Sequence, residues 1–243
     1  MDGPALAALV ASAATIGVVH TLLGPDHYVP FVALARSRSW SLGRALSVTA
    51  VCGVGHVVGS IALGAVGIAL GWAVSGLVDV ESLRGDLAGW ALLGVGIAWT
   101  AWGVRRGLRR RPHAHLHVHG DGVVHHHPHG HAGAHAHPHD APAAGRGLMR
   151  RWLGPWSLFV VFVLGPCEPL IPLLMVPAAD GGWSAVALVA AVFAAATIAT
   201  MLAAVALGAS ALALVPAAGL ERWSHAAAGV ALALCGVAVT LGL

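Results

Sequence analysis

The sequence predicts an all-α integral membrane protein. Its six transmembrane helices form two inverted three-helix repeats, with helices 1 and 4 broken. Three observations predict this. The 243-residue chain is 58% hydrophobic and only 9% charged, where soluble domains carry roughly 25% charged residues; its mean hydropathy is +0.80. Several apolar runs exceed the roughly 20 residues that cross a bilayer as a helix, and they lack the alternation of barrel strands. Finally, Leu23-Gly24-Pro25-Asp26-His27 and Leu164-Gly165-Pro166-Cys167-Glu168 repeat one pattern at an offset of 141 residues. Each places a Gly-Pro break and ionisable groups where lipid-facing residues are expected.

The first span covers Ala5 to Ala35, 31 residues. That exceeds a simple spanning helix, and Pro25 and Pro30 remove backbone donors and disfavour helix in the residues before them. The second span covers Ala45 to Val74 and the third Leu87 to Val104, with a polar loop between them that carries Asp79, Glu81, Arg84 and Asp86. The fourth covers Leu153 to Ala178, with Pro166, Pro169 and Pro172 acting as the prolines of span one do. The fifth covers Ser184 to Leu207 and the sixth Ala226 to Leu243. Non-helical backbone at membrane depth survives only where protein or a cavity surrounds it. The chain therefore divides into a first membrane repeat, residues 1–104, a loop, residues 105–151, and a second membrane repeat, residues 152–243.

Charge orients the spans. There are 13 Arg and no Lys, and 12 of the 13 fall in loops one, three and five; only Arg84 lies on the other side. Positively charged loops stay in the cytoplasm, so both termini are expected outside, in the plasma or inner membrane of a bacterial cell. Asp2, with no basic residue before the first apolar run, predicts no cleavable signal peptide. Cys52, Cys167 and Cys235 form an odd, membrane-embedded set, which is not a disulfide framework.

The chemistry-bearing residues are His20, Asp26, His27, His56, Cys167 and Glu168, all inside predicted spans. An ionisable group there is costly and marks a functional site by default. Imidazole with carboxylate and thiolate suits late first-row divalent ions, whereas magnesium prefers an all-oxygen site. Cys52 lies four residues before His56 and shares its helix face; by itself it reads as a packing residue, as does Cys235. His225, beside Glu221 and Arg222, reads as interfacial. The offset of 141 also aligns His56 with Thr197, while the third pair of spans shares only a loose Gly spacing. Opposite orientation of the two halves resembles secondary transporters, whose sites lie at midplane between broken helices.

Pro112 to Asp140 holds 12 of the 16 His, many in His-x-His alternation among Gly, Pro and Ala. Such a tract is expected to lack regular structure and to capture or buffer transition metals weakly at many points, off the translocation path.

In layout, and in these residues, the chain resembles the bacterial nickel/cobalt transporter superfamily: the nickel/cobalt permeases, the urease-associated nickel permeases and the nickel/cobalt resistance exporters. The permeases carry His-x4-Asp-His in an early span and a His in the next. The exporters carry a His-rich cytoplasmic loop and a Pro-Cys-Pro segment. Here the matching pieces are His20 with Asp26-His27, His56, the loop, and Pro166-Cys167-Glu168-Pro169; five residues rather than four separate His20 from Asp26. The resemblance implies a transporter of nickel or cobalt, with zinc and iron also compatible, and no permanent cofactor. It implies no enzymatic or nucleic-acid-binding role, a bilayer environment and a cytoplasmic metallochaperone as partner. Span four also resembles the thiol electron carriers of cytochrome maturation, which hold one Cys in each half. Here Asp26 stands where the first-half Cys would be, and thiol–disulfide exchange needs a second sulfur. A third reading is a metal sensor or storage protein built around the loop.

Overall fold

The computed structural model describes residues 3–71, 74–109, 113–118, 124–129, 156, 158–165, 167, 169–214 and 221–242. Helix α1 (Gly3–Leu23) ends at a 3-10 turn, Pro25–His27, and the chain resumes as α2 (Val29–Ser37). Helix α3 (Leu42–Ala69) and helix α4 (Val74–Arg109) follow. After the loop come α5 (residues 158–164), α6 (Leu170–Ala179), α7 (Trp183–Ala213), a 3-10 turn at Glu221–Trp223 and α8 (Ser224–Thr240). Four of these, Gly3–Leu23, Leu42–Ala69, Gly76–Leu108 and Trp183–Ala213, are long and apolar enough to cross a membrane. Leu170–Ala179 and Ser224–Thr240 are shorter apolar helices.

The membrane character is visible in which faces are buried. On α3 the buried set includes Thr49, Cys52, His56 and Ser60. The exposed set includes Val51, Val54, Val58 and Val66. A soluble helix hides its apolar stripe; this one turns that stripe outward and keeps its polar stripe within. Helix packing in lipid rests on close van der Waals fit and interhelical hydrogen bonds. The fit is closest where α4 meets α8. Gly89, Gly96 and Gly103 on α4 face Gly229, Gly236 and Ala226 on α8, so closely that a methyl group at Gly96 would collide with the Ala233 backbone. The Gly spacing of the third pair of spans thus marks a real seam.

Both expected breaks are present. The first falls at residues 24–28 and the second between α5 and α6. One expectation is corrected. The polar segment 75–86 is not a loop, because α4 runs unbroken for 36 residues through Asp79, Glu81, Arg84 and Asp86. Glu81 and Arg84 are one turn apart and neutralise each other, which lets both enter a helix packed in protein. Within the loop, β1 (His113–Val118) pairs antiparallel with β2 (Val124–His129). The His-x-His alternation of β1 has the period of two that a strand requires.

Candidate metal centre

The first break builds the site. Gly24 N still donates to His20 O at 3.0 Å, completing the last turn of α1. Pro25 has no N–H to continue the ladder, and the chain tightens into the 3-10 turn, with His27 N donating to Gly24 O at 3.1 Å. This brings His27 beside His20 instead of a turn further along a straight helix. The ring centroids of His20 and His27 are 4.8 Å apart, and those of His27 and His56 5.2 Å apart. His56 comes from α3.

One ring nitrogen of each of His20, His27 and His56 lies within 4.8 Å of the other two. The hydrogen bonds show which nitrogens are free. His27 Nδ1–H is shared between the Gly24 carbonyl and Asp26 Oδ1, each at 3.1 Å. His56 Nδ1–H donates to the Phe162 carbonyl at 3.1 Å. The Nε2 atoms of all three imidazoles are buried and have no hydrogen-bond partner among the described residues. A buried polar atom left unpaired costs free energy. A metal-ligating His generally gives its other N–H to a carboxylate or carbonyl, which fixes tautomer and ring orientation. His27 and His56, 2% and 1% exposed, have that arrangement.

Not every expected ligand joins the group. Asp26 stands behind His27 as its hydrogen-bond partner. Cys167 is fully buried, packed with Ala13, Leu170 and Phe193, and is outside the three-imidazole group. Glu168 lies outside the described residues. Thr197 is fully buried with its Oγ1 unpaired among the described residues, in the close approach of α7 to Gly17 of α1. A cavity of about 10 Å³ borders the centre, lined by Asp26, His56, Phe162 and Gly165 with Ala88, Leu92, Val161 and Val239. Room of that order suits one water or one small ion.

Sequence reasoning missed Ser60, Glu81 and Arg84. Glu81 is fully buried and accepts from Ser60 Oγ at 2.6 Å, from Arg84 and from Cys167 N at 3.1 Å. Arg84 Nη2 donates to Val163 O at 2.7 Å. Two signals in the sequence pointed to them: opposite charges three apart on a helical period, and Ser60 at the next i+4 step after Cys52 and His56.

No family model, no curated protein and no solved structure matches the chain.

Proposed function

We propose that the chain transports divalent transition-metal ions across a cell membrane, with nickel or cobalt as cargo. The observations that carry this reading are the convergence of one ring nitrogen each of His20, His27 and His56 at a helix break, and the buried, unpaired Nε2 that each imidazole keeps. Neutral imidazoles suit nickel, cobalt, zinc and iron. Three protein ligands leave coordination positions open, as in sites that exchange what they hold, whereas closed structural cages use four. The ion sheds water for the three Nε2 atoms. Asp26 holds His27 in the ligating tautomer and offsets part of the cation's charge. The C-terminal end of α1, which carries the negative end of the helix dipole, faces the same place.

Element pairing supports a two-fold inverted arrangement of six spans. Helix α2 packs on α7 as α6 packs on α3, while α3 packs on α7 and α4 on α8. These are the pairs that exchange, or return to themselves, when the two halves are swapped. Within this arrangement Cys167 and Glu168 belong to the second half's break. The His-rich tract collects metal on the cytoplasmic side, where a metallochaperone would meet it. All three cysteines are free thiols, and Cys52 and Cys167 lie in different core clusters, so no observation favours the thiol-relay reading.

The test is ion flux into proteoliposomes. Nickel and cobalt should cross with the wild type, and flux should fall to background with His27→Ala in protein that folds normally. Wild-type vesicles that pass no divalent ion would sink the proposal. The sign of the flux under imposed gradients reads its direction.

A further inference from the structure

At the second break Phe162 O keeps one backbone bond, from Gly165 N at 3.1 Å, and side chains from α3 and α4 reach it and three further backbone groups. Phe162 O accepts from His56 Nδ1 at 3.1 Å. Val163 O accepts from Arg84 Nη2 at 2.7 Å, and Gly165 O lies 3.5 Å from the same nitrogen. Cys167 N donates to Glu81 Oε1 at 3.1 Å. Ser60 Oγ, one turn beyond His56 on the same stripe of α3, donates to the same carboxylate oxygen at 2.6 Å. Arg84 also donates to Glu81 Oε2. Glu81, Ser60 and Cys167 are 0–1% exposed.

We propose that Glu81 and Arg84 are positioning residues of the metal centre, acting on His56 through the backbone of the second break. The route is short. His56 keeps Nδ1 protonated and its Nε2 lone pair free only while the Nδ1–H has the Phe162 carbonyl to bond. That carbonyl is adjacent in sequence to the one Arg84 grips. On its other side the break lies close beside the imidazole: a methyl group at Gly165 would lie 3.2 Å from His56 Nδ1. The planar guanidinium suits the task because one rigid fork spans a carboxylate and a backbone carbonyl together. Stability alone does not account for the pair. Buried ion pairs are often no more stabilising than apolar residues of the same size, and here an unbroken apolar helix would need neither charge. Glu81 and Arg84 cancel each other's charge, so the clamp holds the break without adding a net charge beside the cation. The consequence for metal affinity rests on the transport reading; the control of His56 does not.

The experiment separates the two. Full-length protein labelled with ¹⁵N-histidine is purified without metal, and the His56 ring signals are assigned by comparison with His56→Asn. In the wild type His56 should show one Nδ1-protonated tautomer. In Arg84→Gln and Glu81→Gln the signals should move toward a mixture of tautomers. The dissociation constant for cobalt should rise about 10- to 100-fold, as when a partner of a metal-ligating His is lost. Arg84→Lys, which keeps the charge but not the fork, should fall between. Gly103→Ala, on the α4–α8 seam, should lower thermal stability and leave both readouts unchanged. If the charge variants do not fold, Ser60→Ala should move the His56 signals in the same direction by less. His56 signals that coincide with wild type in every folded variant overturn the proposal. A tautomer change in a protein that binds no cobalt upholds the positioning role and refutes the transport reading.

Discussion

His27 works at the centre because its two ring nitrogens have different neighbours. Nδ1 is committed to Gly24 O and Asp26 Oδ1, and Nε2 is left for a ligand. Asp26→Asn removes the charge behind the ring while nearly preserving its shape. It should weaken nickel binding about 10- to 100-fold, read by titration calorimetry; an unchanged affinity would show that Asp26 does not orient the ring. In the proposed centre, protons and metal would compete for the same ring nitrogens. Affinity should therefore fall as pH is lowered, with protons released on binding at neutral pH, measurable in buffers of different ionisation enthalpy. His20, His27 and His56 were legible in the sequence because polar groups inside apolar runs stand out. Glu81, fully buried, and Arg84, partly buried, are charged too, yet they read as a loop. Grouped with Asp79 and Asp86, they have the composition of a connection, and only three-dimensional pairing shows that they neutralise each other inside α4.

At the scale of elements, the two breaks are alike in sequence and unlike in how they are held. The first satisfies itself: Gly24 O accepts from its own turn, and Tyr28 Oη donates to Leu22 O at 3.3 Å. The second makes two backbone bonds of its own, Gly165 N to Phe162 O at 3.1 Å and Leu170 N to Cys167 O at 3.0 Å, and is held besides by side chains of α3 and α4. A methyl group at Gly24 would sit 2.6 Å from His27 Nδ1 and 2.8 Å from Asp26 Oδ1. Gly24→Ala should therefore displace His27 and abolish high-affinity cobalt binding, with little change in helix content by circular dichroism. The α4–α8 seam predicts a different outcome. Gly96→Val would drive a branched side chain into Ala233 and should destabilise by about 1–3 kcal/mol, the usual cost of overpacking. This is measured as a lower thermal midpoint in detergent. Both breaks were visible from proline and length. The continuation of α4 to 36 residues was not, because helix ends are read from polar residues, and here Glu81 and Arg84 pair against the packed protein while Asp79 and Asp86 stay exposed on the same helix.

At the scale of the molecule, four long apolar helices and an outward apolar surface define a membrane protein. Its prediction is functional. Deleting residues 112–140 should leave most of the proteoliposome flux intact while lowering the number of metal ions bound per chain; complete loss of flux would place the tract on the path. Sequence by itself determined the membrane environment, the positions of both breaks and the three imidazoles, because each follows from local composition and from what proline forbids. Only the tertiary structure decided which of the polar residues meet. His20, His27 and His56 converge, Asp26 supports His27, and Cys167 turns its backbone toward a carboxylate 86 residues earlier. Such pairings depend on how helices pack across the fold, and in a bilayer that packing is set by close fit and hydrogen bonds between distant segments, which no local pattern encodes.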